Sequence, residues 1–411
     1  MATQPRENTG DALESVDPSL LTRFVDGSIH SLMARLRADA PVHYCDDSPH
    51  GSYWSITTHQ HIMEIEALPA AYSSDTSNGG IAIMDADKAM PGSTMENFIE
   101  LDPPRHTAKR RAVAPAFAPS EMERLSESIR ERSSAMLDSL ERGEDFNWVD
   151  QISMPLTRDM LAILFDYPWE ERQDLIKWSD AITSMDMIEN RPQERMVMMF
   201  EMATRFHALW EERSNAEPAP DLLSMMIHSD ALGEMNAQEF LGNMALLVVA
   251  GNDTTRNSMS AIITAFNAYP DEWQKLLDDE SLIANAASEI IRWQTPVAHM
   301  RRTVVEDTDF HGHHFKAGDK IILWYISANR DEAMFEDADR LKVERKNARR
   351  HIAFGHGIHR CLGARLAELQ IQVLLSEMRS RKLMPALVGD AIRTENSFIN
   401  GITELPVRVR D

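Results

Sequence analysis

Cysteine is almost missing from this 411-residue chain: there are two, Cys45 and Cys361, so no disulfide framework can support the fold and an apolar core must. Such a core is available, because 43% of residues are apolar although only 7% are aromatic, and a chain of this length can bury a large one. Long apolar runs are missing too. The longest, residues 244–250, is far below the ~20 residues that cross a bilayer, and the start of the chain is polar and acidic. A soluble, cytoplasmic protein is expected. Positive charge is in short supply, with 42 Lys and Arg against 65 Asp and Glu and a net charge of −23, which argues against nucleic acid as a partner. Cys45, beside Tyr44 and Asp46, reads as a partly buried bystander.

Residues 1–17 lack apolar periodicity and read as a flexible N-terminal segment, leaving 18–411 as a single domain. Residues 53–57 read as a strand and 61–65 as part of a helix. Residues 73–100, with Gly79, Gly80, Pro91 and Gly92, read mostly as loop, and a loop this long in a compact domain is usually functional. From 120 to 282 apolar residues recur at helical spacing, interrupted at Gly143, near Pro192, at 217–220 and at Gly233. Residues 303–325 then alternate apolar and polar around Gly312 and Gly318, and 383–409 carry similar fragments. The expected class is mainly α: one large helical domain with small antiparallel β-sheets.

The stretch Phe354-Gly355-His356-Gly357-Ile358-His359-Arg360-Cys361-Leu362-Gly363 places a lone thiol on a glycine-rich loop. From Ala364 onward the residues are good helix formers, so Cys361 lies at a helix N-terminus, where partial positive charge and free amides favour a thiolate. Gly355, Gly357 and Gly363 suit a backbone that turns tightly and admits a bulky planar group. A structural cysteine beside a glycine turn is the plain alternative.

This loop resembles the cysteine-ligand loop of the cytochromes P450, the haem-thiolate mono-oxygenases. The resemblance implies the P450 fold, haem b (iron protoporphyrin IX) ligated through Cys361, O2 as co-substrate, and electrons from NAD(P)H through redox partners. In that family the thiolate pushes electron density onto the iron and favours O–O cleavage. Phe354 and Gly355 would lie against the haem.

Three further motifs bear on this resemblance. Ala250-Gly251-Asn252-Asp253-Thr254-Thr255 interrupts a long apolar helix, where Gly costs ~1 kcal/mol and a Thr hydroxyl can bond back to a preceding carbonyl. By resemblance this is the oxygen-side groove, with Gly251 against the haem, Thr254 holding dioxygen and Asp253 relaying protons; a kinked helix with Asp253 in an internal salt bridge is the alternative. Glu289 and Arg292 stand three apart on one helix face and can pair. On the surface such a pair would mean little, but it resembles the family's buried Glu-x-x-Arg pair, whose second Arg would be Arg340. In Asp102-Pro103-Pro104-Arg105-His106-Thr107-Ala108-Lys109-Arg110-Arg111, His106 and Arg110 share a face, and cations in a first turn call for an anion. By resemblance His106, Arg110, Arg302 and His359 would hold the two haem propionates.

Arg105, Lys109, Arg111, Arg345, Lys346, Arg349, Arg350, Arg360 and Arg365 fall in segments expected around the thiolate side, making a basic patch on an acidic protein. It either solubilises the surface or steers an acidic electron donor, which the resemblance identifies as a ferredoxin served by a reductase. Substrate walls are expected from Met84 in the loop 81–99, Met187 in the Met-rich stretch 185–202, Met244, Leu247 and Val248 on the long helix, Val297 and Met300, and Phe398 and Ile399. The Met stripe fits either a pliable cavity or ordinary core.

A finer resemblance, through Tyr53-Trp54-Ser55, Gly79-Gly80-Ile81, Asn252-Asp253-Thr254-Thr255 and Phe398-Ile399-Asn400-Gly401, is to the bacterial medium-chain alkane and fatty-acid terminal (ω) hydroxylases. It implies attack on an unactivated methyl group of a small hydrophobic substrate. Open alternatives are a cyclic or terpenoid substrate, a haem sensor or carrier without turnover, and a hydrolase using Cys361 and His359; the last two leave the Asp253–Thr254 pair or the propionate-type clusters without a purpose.

Overall fold

The computed structural model describes residues 13, 16–85 and 95–410. The chain enters through α1 (Leu21–Val25) and α2 (Ile29–Asp39), then β1 (Val42–Cys45), β2 (Tyr53–Ile56), α3 (His59–Glu66) and β3 (Tyr72–Ser73). Helix α3 starts where the sequence supplies a cap: the Thr58 side chain accepts from the His61 N–H, an interaction worth about 1 kcal/mol. α4 (Arg105–Val113) and α5 (Pro119–Asp138) follow, then the short strand β4 (Asp145–Asn147) at the Gly143 break.

The body is helical, as the periodicity predicted for 120–282: α6 (Met154–Phe165), α7 (Gln173–Thr183), α8 (Met185–Glu189), α9 (Pro192–Arg213), α10 (Leu222–Ile227), α11 (Ala237–Ala268) and α12 (Pro270–Asp278), with α13 (Ile283–Gln294) beyond that range. α11 is the axis of the molecule. It is capped reciprocally, Asn236 accepting from the Gln238 and Glu239 amides while Glu239 accepts from the Asn236 N–H, a pairing that satisfies donors otherwise left open. It runs unbroken through Gly251 and Thr254. Its faces bury Met259, Ile262, Ile263 and Phe266 in one core and Met244, Leu247 and Val248 in another.

Strands β5 (Met300–Val304), β6 (Thr308–Phe310), β7 (His313–Phe315) and β8 (Lys320–Leu323) form the expected sheet region, with turns at Gly312 (φ 85°) and Gly318 (φ 90°). The main sheet has the order β1-β2-β8-β5-β3; its pairings are antiparallel except β2 with β8, which is parallel. After α14 (Tyr325–Ala328) and an irregular segment comes α15 (Ala364–Ser380), packed on α5, α11 and α13. β9 (Ala386–Leu387), β10 (Ile392–Arg393), β11 (Ile402–Glu404) and β12 (Pro406–Arg408) complete two small antiparallel sheets.

One expectation changes. Val16 and Asp17 do not fray: Val16 is buried, and Asp17 accepts from Tyr53 Oη at 2.6 Å and Ser19 Oγ at 2.6 Å. The rest of the predicted flexible segment, other than Leu13, lies outside the described residues, as do residues 86–94 of the predicted substrate loop. Among the described residues no helix is long and apolar enough to cross a membrane.

Candidate active site

Between α11 and the loop before α15 lies a cavity of about 1430 Å³, counting its open mouth. Cys361 is on its wall. The loop reaches it through two left-handed glycines, Gly355 (φ 68°) and Gly357 (φ 65°). A Cβ on Gly357 would overlap the Glu66 carbonyl, so the loop's path excludes larger residues. The Cys361 N–H donates to the Phe354 carbonyl at 2.8 Å, and the side chain faces the amides of Gly363 and Ala364 at the start of α15. Burial pushes the Cys361 thiol up, while those amides and the charges of Arg110 and Arg360 pull it down. An electrophilic metal on the open side would settle that contest for the thiolate.

His106 and His359 face one another with ring centroids 4.2 Å apart. All four of their ring nitrogens are buried without a partner among the described residues. Burial, with Arg110 nearby, lowers His106 to about 4; burial, then Arg302, His106 and Arg110, lowers His359 to about 2. Arg110, Arg302 and His359 line the cavity. Unpartnered imidazoles beside two guanidinium groups are costly alone and well suited to an anion. The donor set fits a group bearing two carboxylates at this edge and a thiolate-seeking metal at its centre. Phe354, Gly355 and Gly251 also line the cavity. A Cβ on Gly251 would lie 2.6 Å from Leu161 Cδ1, a contact that a shift of the leucine's tip can relieve.

Thr254 lines the cavity and its Oγ1 donates to the Ala250 carbonyl at 3.0 Å. Asp253 points elsewhere. Its Oδ1 accepts from Arg256 Nη2 at 2.8 Å, Asn252 Nδ2 at 3.1 Å and Ser179 Oγ at 3.3 Å, and Arg256 also reaches Asp180, half exposed, at 3.2 Å. Burial pushes the Asp253 carboxyl up and Arg256 opposes it. The internal salt bridge is therefore present, and it leads to the surface.

Glu289 pairs with Arg292 in the fully buried fork expected, Oε2 accepting from Nε at 2.7 Å and Oε1 from Nη2 at 2.8 Å. The second arginine is Arg345, not Arg340. Arg345 Nε lies 2.9 Å from Glu289 Oε1, whereas the Arg340 side chain turns outward to Asp271 at 2.7 Å. The turn at Asp337 (φ 47°) precedes Arg340, whose carbonyl, rather than its guanidinium, accepts from Arg292 and Arg345.

The basic patch contracts accordingly. Arg345 is buried; Lys109 is buried against Glu239 at 2.6 Å; Arg105 pairs with Glu96. Arg111, Lys346, Arg349, Arg350, Arg360 and Arg365 remain exposed. The segments carrying Arg111, Arg349, Arg350 and Arg360 are linked, because Arg110 donates to the Arg360 carbonyl and Arg360 lies over the Phe354 ring, whose neighbour His351 follows the turn Ala348–Arg350.

Of the expected substrate walls, Leu247, Val297 and Met300 line the cavity. Met244 and Val248 are fully buried in the core around α6 and α9, and Met187 is buried away from the cavity. The 100° per residue of a helix turns 244 and 248 to the flank of the face that carries Thr254. Met84 is half-buried outside the cavity, Phe398 packs on His299, and Ile399 is bridged to Val297. Leu164 and Leu222 are unforeseen lining residues, brought in by α6 and α10; no local pattern separates them from other core leucines. Glu66 and Arg345 were likewise missed as site-supporting groups, since neither sits in a motif.

The cytochrome P450 family model matches residues 84–381. The chain belongs to this family and is a cytochrome P450 mono-oxygenase. Among solved structures, cytochrome P450-153 from Novosphingobium aromaticivorans is 46% identical with a TM-score of 0.90, covering 96% of this chain and 99% of that one. CYP153D17 from Sphingomonas sp. PAMC 26605 is 50% identical with a TM-score of 0.91 at 96% and 99% coverage. Linalool 8-monooxygenase of Pseudomonas putida is 35% identical over 402 residues, 95% of this chain and 97% of the relative. Family membership implies haem, O2 and electrons from a redox partner.

Proposed function

We propose that this mono-oxygenase hydroxylates the terminal methyl group of medium-chain n-alkanes or fatty acids. The observation that carries the reading is the cavity's division. Ile81, Phe98, Ile99, Leu164, Leu222, Leu246, Leu247, Val297 and Met300 make an apolar region, while Arg110, Arg302 and His359 belong to the group proposed to hold the propionates. An alkyl chain has nothing to hydrogen-bond, and a wall without unpaired polar groups does not reject it. Because the methyl C–H bond is the strongest in the chain, selectivity must come from walls that present only the chain end. Similarity over 96% of the chain to the two structures above supports the mono-oxygenase part of this reading.

When bound, haem b supplies the activation of O2. Cys361 Sγ would ligate its iron; His106, Arg110, Arg302 and His359 would hold its propionates, with Phe354, Gly355 and Gly251 against the ring. Thr254 Oγ1 would hold a proton at the cavity wall. Asp253 would take protons from the Arg256–Asp180 side, which reaches water, and pass them inward by leaving its salt bridge. The test is product regiochemistry. Octane and lauric acid should give chiefly 1-octanol and the ω-hydroxy acid, and mainly subterminal alcohols would defeat the assignment. A terpenoid or cyclic substrate is the second reading, supported by the likeness to linalool 8-monooxygenase; faster turnover of linalool than of octane or lauric acid would select it.

Electrons would arrive from NAD(P)H through a reductase and a ferredoxin docked on the exposed cations around Arg111 and Arg349. Reversing both to Glu should slow ferredoxin-driven reduction severalfold at low salt, with the haem spectrum unchanged. Equal rates for variant and native protein would remove this face from consideration.

A further inference from the structure

Glu66, the last residue of α3, has a buried carboxylate that reaches both parts of the site. Oε1 accepts from Arg302 Nη2 at 2.8 Å and from Tyr325 Oη at 2.6 Å, and Oε2 accepts from the His356 N–H at 2.8 Å. Arg302 and Tyr325 line the cavity; His356 lies in the loop that carries Cys361. The loop also rests on Glu66 through its glycines. A Cβ on Gly357 would meet the Glu66 carbonyl, and one on Gly355 would lie 3.3 Å from Tyr325 Oη and 3.6 Å from Glu66 Oε1. Arg302 has one further bond, from Nη1 to the Arg301 carbonyl at 2.8 Å, so Glu66 is the anion that fixes its direction. Burial pushes the Glu66 carboxyl up, and Arg302, Tyr325 and the His356 amide oppose this.

We propose that Glu66 is a positioning residue for the haem: its carboxylate ties Arg302 to the Cys361 loop as one unit, and its negative charge offsets Arg302 and disfavours reduction of the iron. The two roles have different signatures. A glutamine amide keeps one acceptor oxygen, which can take the His356 N–H while its NH2 donates to Tyr325 Oη, but it cannot neutralise Arg302, so it removes the charge and keeps the contact with the Cys361 loop. Alanine removes both and leaves a buried guanidinium without its anion.

The inference rests on haem ligation by Cys361, which the native reduced carbonyl spectrum tests separately in the same preparations. With that spectrum in place, holoenzyme of Glu66→Gln should keep the sulfur-ligated carbonyl band and titrate with a more positive midpoint potential. Glu66→Ala should shift in the same direction and, in addition, convert to the carbonyl form that has lost the thiolate at lower denaturant. An unaltered potential in Glu66→Gln would overturn the electrostatic role, whether or not the Ala variant folds. Native resistance to thiolate loss in Glu66→Ala would overturn the anchoring role.

Discussion

Serine in place of Cys361 abolishes the red-shifted Soret band of the reduced carbonyl complex and lowers hydroxylation by more than about 100-fold: that is the expected result, and the loss exceeds the usual ceiling for changes outside a metal's direct ligands. The substitution removes one sulfur and little else. Cys361 is open to the cavity rather than packed in the core, and its backbone bond to Phe354 does not depend on the side chain. Gly355 and Gly357 still set the loop, and α15 still begins at Ala364. A serine hydroxyl is a harder and more weakly donating group than a thiolate, so it would supply an iron held there with less of the electron density that favours O–O cleavage. Circular dichroism should remain that of the native protein. Hydroxylation surviving at native rate in the serine variant would end the haem-thiolate reading.

What the sequence disclosed and what it hid divide along a physical line. Periodicity located α5 through α12, because a helix facing a core must repeat its apolar residues every three to four positions. The loop around Cys361 was legible because its resemblance to the family rests on particular residue types in a fixed local order. Side-chain direction in irregular backbone was not legible. Arg340 and Arg345 lie in a segment outside helix and strand, with a positive φ at Asp337, where no periodicity says which of them turns inward. Met244 and Leu247 share a helix, yet only Leu247 reaches the cavity, since their orientation depends on how α11 rotates against α6. Glu66 gave no signal at all. Its partners, Arg302, Tyr325 and His356, are 236, 259 and 290 residues away along the chain, and nothing in local pattern encodes a contact of that range.

The arginine correction leads to the second large effect. Arg345→Ala should destabilise the protein by about 3–5 kcal/mol, whereas Arg340→Ala should change stability by about 0–1 kcal/mol. Both remove a guanidinium paired with a carboxylate at under 3 Å, Arg345 at 2.9 Å and Arg340 at 2.7 Å. Burial separates them. The Arg345 and Glu289 side chains are 4% and 0% exposed, against 48% and 57% for Arg340 and Asp271. Arg345 also closes the segment before the Cys361 loop, its Nη groups donating to the carbonyls of Glu336, Asp337 and Arg340. Removing it leaves those carbonyls short of donors and Glu289 with Arg292 and the Lys342 amide as its remaining partners, a loss water cannot make good in a closed core. At Arg340 water replaces the partner at once. Thermal unfolding followed by circular dichroism should place the Arg345 variant several degrees below native, with the haem released in the same transition, and the Arg340 variant close to native. Equal midpoints for the two variants would show that the inward arginine does not hold this scaffold.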